Sequence, residues 1–393
     1  MPATASNPHR FLLILLHAGF FISGISTTLI GQVLPILAEK FALNDKEAGN
    51  FFPAQFAGSL LGTLLTNWFG RKGRFSAASA AGCLLMAAGV LMLNAPNYEL
   101  CLAGFFVNGF GTGLTLPSIN MLILELNRTR GAAALSVLNF FWGVGAILSQ
   151  PFVDFFARGT SIVAPTAILT IGLALIGLAL ALAPGATEPR SADGIRTADE
   201  AETPIWTSPV AWGIAFFNFV HVGFESAIGG WLKTYTNRVE DGAAPALFPP
   251  IFLFFVFFVV GRGTAPLFFR YLDENRMLLA SLFVVLAGML VLLFARDALT
   301  LGVGAAIAGF GSSSIFPTNV SRFTKTFGPS ASRRATPFFI CGTLGAAATT
   351  WIVGYVSESR ASLRAGMFVL LISVLLLIVL QIVLARKTAI VGK

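Results

Sequence analysis

Apolar residues recur in runs of about twenty or more, each broken by Gly, Pro, Asn or a charge, over 11–38, 47–68, 75–94, 97–125, 132–157 and 162–183. After a gap they resume over 209–236, 244–270, 275–295, 297–326, 332–357 and 362–385. At a rise of about 1.5 Å per residue, about 20 such residues cross a hydrocarbon core. The pattern therefore predicts an all-α membrane protein of twelve transmembrane helices in two six-helix bundles. The long polar stretch 184–208 has mixed charges and no apolar periodicity, which marks a linker. The expected organisation is an N-terminal bundle over 1–183, a linker over 184–208 and a C-terminal bundle over 209–393.

The two sets of helices carry an internal repeat. Gly109-Phe110-Gly111-Thr112-Gly113-Leu114-Thr115-Leu116-Pro117-Ser118 returns as Gly309-Phe310-Gly311-Ser312-Ser313-Ser314-Ile315-Phe316-Pro317-Thr318, and Phe141-Trp142-Gly143 has a weaker echo in Ile340-Cys341-Gly342. Parallel repeats of six helices are a transporter pattern, with substrate expected at the interface of the halves. Small residues also let membrane helices approach closely, so the glycines admit a packing reading. A repeated proline adds local loosening of the helix.

Composition agrees with the pattern. The chain has 393 residues, 55% hydrophobic and 11% charged, and a mean hydropathy of +0.79, against about 25% charged in soluble domains. The net charge of +8 comes from short Lys and Arg clusters between apolar runs, which excludes a nucleic-acid partner. These clusters favour the side of the N-terminus, so both termini and the linker are expected in the cytoplasm. Cys83, Cys101 and Cys341 are isolated within apolar runs and read as small hydrophobes. The first run is too long for a signal-peptide core and is expected to be the first span. With no phosphate-loop spacing and no His/Cys metal spacing, no cofactor, metal or enzymatic activity is expected.

One span breaks the apolar rule. Within Pro209 to Tyr235, Asn218, His221 and Glu225 stand at i, i+3 and i+7 and share a helix face. A carboxylate at bilayer depth costs at least about 3 kcal/mol and tends to mark a substrate or ion pathway. Glu225 leads the candidates, against the plainer reading of a buried carboxyl tying two helices together. Glu125 and Asp154 sit at helix ends near water and are expected only to cap or pair.

Over its full length the chain resembles the major facilitator superfamily. Gly62-Thr63-Leu64-Leu65-Thr66-Asn67-Trp68-Phe69-Gly70-Arg71-Lys72-Gly73-Arg74 is similar to the superfamily's cytoplasmic signature, departing from it at Asn67, where an Asp is usual, and at Trp68, where a basic residue is usual. The resemblance implies gating roles for Asn67, Gly70, Arg71 and Lys72. A degenerate counterpart begins at Gly261-Arg262-Gly263. Within the superfamily, Glu225 to Tyr235, Asn139 to Ala146 and Pro117-Ser118-Ile119-Asn120 resemble the fucose, galactose and glucose branch of sugar porters. The acids that proton-coupled members carry in helices 1 and 4 are replaced here by residues such as Gln32 and Thr115.

A sugar offers hydroxyls that donate and accept, and C–H faces that stack on rings. The resemblance thus implies substrate contacts from Gln32, Asn120, Asn139, Trp142, Asn218, His221, Glu225, Trp231 and Asn319, with Gln150 and Trp351 adding to the polar and aromatic supply. His221 and Glu225 are spaced to couple substrate to a proton or sodium ion. Plainer readings stand beside these: Asn120, Gln150 and Asn319 as helix-to-helix bonds, Trp231 as an interfacial aromatic, His221 as a neutral packing residue. The expected protein is a monomeric, multi-pass secondary transporter of a monosaccharide, in contact with membrane lipids and working by alternating access. The rival expectation, an exporter of drugs or amphipathic metabolites, rests on 38 Phe residues, many of them in helices 7 and 8.

Overall fold

The computed structural model describes residues 8–72, 74–126, 131–183, 205–239, 248–328, 331 and 334–391. Its helices are α1 (Pro8–Lys40), α2 (Asp45–Gly49), α3 (Phe51–Arg71), α4 (Phe75–Met92), α5 (Tyr98–Leu126), α6 (Gly131–Phe156), α7 (Val163–Leu182), α8 (Pro209–Val239), α9 (Pro250–Phe268), α10 (Glu274–Phe294), α11 (Ala298–Ser312), α12 (Ile315–Phe327), α13 (Thr336–Ser359) and α14 (Leu363–Val391). They form two compact units, residues 1–41 with 54–198, and residues 42–53 with 199–393.

All twelve predicted spans appear as helix, and two of them are divided. The second predicted span begins as the short α2, started by Asn44: its side chain accepts from the Glu47 N–H while the Glu47 carboxylate accepts from the Asn44 N–H, a capping box. The tenth predicted span splits into α11 and α12 around Ser313 and Ser314, just ahead of Pro317. Nearly all of the expected linker, 184–204, lies outside the described residues. Its last residues form a single 3-10 turn, Ile205–Thr207, packed on α8.

Among the described residues, eight helices are long and apolar enough to cross a membrane by themselves. Polar residues lower the mean hydropathy of α8, notably Asn218, His221 and Glu225. Within their units, α7 and α14 turn much of their apolar surface outward: Ile171, Leu175, Leu178 and Leu182 on one, Ile372, Leu375 and Val379 on the other, are all exposed. Apolar stripes of that extent on unpartnered helix faces call for lipid. The chain is a multi-pass membrane protein.

The repeated glycines are sites of backbone approach. A Cβ on Gly109 would lie 1.9 Å from the Gln55 carbonyl oxygen of α3, and one on Gly309 would lie 2.2 Å from the Phe254 carbonyl oxygen of α9. Gly145 of α6 meets Phe21 of α1 in the same manner as Gly345 of α13 meets Phe219 of α8, at 2.1 and 1.9 Å. Removing the side chain lets each pair of backbones close to van der Waals contact, which drives helix association in lipid. The packing reading accounts for the glycine part of the repeat.

The repeated prolines share a second device. A proline at i cannot donate to the carbonyl at i−4. In the first unit Pro117 thus frees the Gly113 carbonyl, which accepts from Thr66 Oγ1 of α3 at 3.1 Å. In the second unit Pro317 frees the Ser313 carbonyl, which accepts from Arg262 Nε of α9 at 3.4 Å.

Candidate functional site

In the second unit, α8 carries the polar face expected of it. His221 is fully buried, and its Nε2 stands 3.3 Å from Glu225 Oε2, one helical turn away; the Glu225 side chain keeps 26% of its surface open. Neither His221 ring nitrogen makes an aligned hydrogen bond, so the contact is one of charge and distance. Arg262, whose guanidinium lies 4.2 Å over the Phe258 ring, is within electrostatic reach of the Glu225 carboxylate. A carboxylate, an imidazole with unused hydrogen-bonding capacity and a guanidinium thus share one region. Such a set can hold or pass a proton and can bind hydroxyl groups.

Other predicted members of that unit are occupied by structural work. Asn218 donates through Nδ2 to the Phe338 carbonyl of α13 at 3.0 Å, although its Oδ1 is left without a partner. Asn319 donates to the Ile214 carbonyl at 3.4 Å and accepts from Arg322 through Oδ1. Arg322 is 3% exposed and also donates to Gln381 at 2.6 Å. It is a buried cation inside α12, within the predicted span 297–326. Trp231 is likewise neither an interfacial aromatic nor an open stacking platform. It is completely buried, donates to the Thr350 carbonyl at 2.9 Å and packs against Phe52 with ring centroids 5.9 Å apart.

In the first unit, Gln32 is the most unusual residue. It is fully buried in α1, and neither its amide oxygen nor its amide nitrogen has a partner. An unpaired buried amide costs on the order of 1–3 kcal/mol per group, so its retention calls for an explanation in function. The Trp142 Nε1, also buried, lacks an acceptor. Gln55 and Gln150 each leave a buried amide oxygen unpaired, with Gln55 Nε2 donating to the Thr27 carbonyl at 3.4 Å. Asn120 and Asn139 instead fold back onto their own helix, donating to Leu116 at 2.9 Å and Leu135 at 2.8 Å; Asn139 is exposed.

Of the expected gating residues, the surroundings of Gly70 and the side chains of Asn67 and Arg71 lie outside what is described. Lys72 places its Nζ 3.8 Å from the centroid of the Trp68 ring. At this point the lysine therefore pairs with an aromatic face. Sequence reasoning overlooked Gln55 and Arg262 as site residues. Arg262 had a visible signal, a cation within a span, whereas Gln55 stands out only through its unpaired oxygen.

A cavity of about 660 Å³ opens elsewhere in the second unit, lined by Asp273, Glu274, Asn275, Ser321 and Lys325 among others. Its Glu274 accepts from Ser321 at 2.6 Å and pairs with Lys325 at 2.7 Å. None of the predicted substrate residues lines it.

Residues 16–340 match the model of the Major Facilitator Superfamily. The chain is 27% identical over 281 residues to sodium-dependent glucose transporter 1 of Xenopus laevis, covering 63% of this chain and 56% of that protein. The alignment thus spans little more than half of that relative. The chain is 24% identical over 394 residues to sodium-dependent glucose transporter 1A of Mus musculus, covering 86% and 88% of the two chains. Among solved structures, the superfamily transporter FucP in its outward conformation superposes with a TM-score of 0.63 at 18% identity, over 96% of this chain and 99% of that one. At that identity the likeness is one of fold.

Proposed function

The chain belongs to the Major Facilitator Superfamily of transporters, and on that premise we propose that it moves a hexose-like monosaccharide by alternating access. Glu225 and His221 are proposed as the coupling group for a proton or a sodium ion. The observation that carries the reading is the presence in each unit of buried polar groups left unpaired: both amide atoms of Gln32 and the Trp142 indole N–H in the first, the two ring nitrogens of His221 in the second. Hydroxyl groups, which donate and accept at once, are the chemistry that such mixed donors and acceptors match. The likeness to two glucose transporters supports the same substrate class.

The Phe residues do less for the exporter reading. In α8 and α9, Phe217, Phe254 and Phe258 are buried in packing while Phe216 and Phe257 are exposed, so at least three of these rings are taken up by the core. The excess of Lys and Arg on the side of the N-terminus supports cytoplasmic termini. A monomer is the proposed working form, with lipid against α7 and α14.

The test is uptake of a panel of radiolabelled monosaccharides into proteoliposomes, with and without imposed proton and sodium gradients. Saturable uptake that one gradient concentrates, and that Glu225→Gln reduces to equilibration, is the expected result. Uptake indifferent to both gradients and to Glu225→Gln would remove the coupling role; no saturable sugar uptake would overturn the substrate class and favour the exporter.

A further inference from the structure

Arg262 is a cation within a span that the proposed coupling pair leaves unused. It belongs to the face of α9 that meets the polar face of α8. A Cβ on Gly229 of α8 would lie 3.7 Å from Phe255 Cζ of α9, so those two faces are in contact. Glu225 stands one turn before Gly229 on its face, while Phe258 and Arg262 follow Phe255 at i+3 and i+7 on theirs. Consecutive spans run in opposite directions, so a step back along α8 to Glu225 is a step forward along α9 toward Arg262. The carboxylate and the guanidinium come within electrostatic reach.

The guanidinium is held in one plane. Its Nε donates to the Ser313 carbonyl at 3.4 Å, and its central carbon lies 4.2 Å over the ring of Phe258, which is itself 2% exposed. What remains is the Nη edge. Among the described residues neither Nη1 nor Nη2 makes a hydrogen bond, and no carboxylate lies within ion-pair distance of Arg262. Glu225 instead lies against His221 at 3.3 Å and keeps 26% of its side-chain surface open, and Arg262 is only half-buried. A guanidinium only donates, and an ionised carboxylate only accepts. Brought to contact, two such groups pair with each other; held apart, they suit a third group that accepts from one and donates to the other. A hydroxyl does both. Two neighbouring hydroxyls match the two-pronged Nη edge as a single hydroxyl does not.

This inference deepens the sugar-transport reading above and rests on it: we propose that Arg262 is a substrate-binding residue that sets specificity, donating from its Nη edge to two adjacent hydroxyls of the sugar while Glu225 accepts from one of them. Arg262 thereby selects a vicinal diol over an isolated hydroxyl. Ser313 and Phe258 are positioning residues, fixing the fork before substrate arrives and so lowering the ordering cost of binding.

The test is competition against hexose uptake in proteoliposomes by a set of monodeoxy analogues, each lacking one hydroxyl, for the native chain, Arg262→Met and Arg262→Lys. In the native chain two analogues, lacking adjacent hydroxyls, should compete more weakly than the parent hexose by about ten- to a hundredfold, the usual worth of a hydrogen bond to a charged group. In Arg262→Met the apparent KM should rise by a similar factor, and those two analogues should then compete as well as the parent. Arg262→Lys, which keeps the charge but loses the fork, should retain the penalty at one position at most. Melting of the same purified variants is read alongside, because a purely structural role would lower Tm and leave the deoxy pattern in place. An unchanged KM in Arg262→Met, or the same two penalties in that variant, would overturn the assignment while the sugar reading stands. Absence of saturable monosaccharide uptake by the native chain would overturn both.

Discussion

Arg262 donates through Nε to the carbonyl of Ser313, the carbonyl that Pro317 leaves without its backbone donor. Thr66 does the same for the Gly113 carbonyl freed by Pro117. The two donors differ in chemistry, one coming from α3 and the other from α9. A gap in a helix ladder within lipid must be refilled, since water does not reach it. Arg262→Met should lower stability in detergent by about 1 kcal/mol, and Thr66→Val by a similar amount, the usual net worth of one hydrogen bond. Thermal unfolding of purified protein is the check; an unchanged Tm for both variants would remove the repair role.

Gln32 should show the opposite sign. Its amide is buried with neither atom paired, so Gln32→Leu, of similar size, replaces an unsatisfied group by an apolar one. Stability should rise by about 1 kcal/mol, while sugar uptake falls steeply. A variant that loses stability as well as uptake would mean that the amide has a structural partner.

Gly345→Ala should be among the most damaging single-methyl changes. Its Cβ would lie 1.9 Å from the Phe219 carbonyl oxygen, so α8 and α13 must separate, at a cost of about 1–3 kcal/mol. The same change at Gly263, where no atom lies within 4 Å of the added Cβ, should be nearly neutral. Paired melting curves of the two variants read the contrast.

Trp231→Phe keeps the ring against Phe52 and removes the N–H that bonds to Thr350. A loss of about 1 kcal/mol is expected, with substrate affinity unchanged. A change in apparent KM for sugar at constant stability would instead return Trp231 to the binding site.

Asp297 caps α11, accepting from the Thr300 N–H at 2.9 Å and its hydroxyl at 2.7 Å. These bonds hold its carboxyl below the ordinary value of 3.8, the backbone bond most of all. A group with a depressed folded-state pKa contributes fully above its ordinary value, and the contribution is lost as pH falls through the folded value. The Tm gap between the native chain and Asp297→Ala should therefore be constant above pH 3.8 and shrink below it. A gap that is flat down to the most acid pH at which the protein stays folded would exclude the cap.

Apolar runs long enough to cross a bilayer, the repeat of Gly109 to Pro117 in Gly309 to Pro317 and the polar face of α8 were all legible along the chain. Each is a local property: period, length and residue type are set by neighbours in sequence and by the demand that lipid-exposed backbone satisfy itself. What lay beyond reading was partnership across helices. Asn218 and Asn319 look like Gln32 in sequence, an amide in an apolar run, yet the first two are bonded to carbonyls on α13 and α8 and the last is not. Trp231 and Trp142 carry the same indole, and Thr350 provides an acceptor for only one of them. The bond from Arg238 to Asp45 joins residues 193 positions apart. Whether a buried polar side chain is satisfied or available depends on what another helix places within about 3 Å of it, and only the tertiary structure decides that.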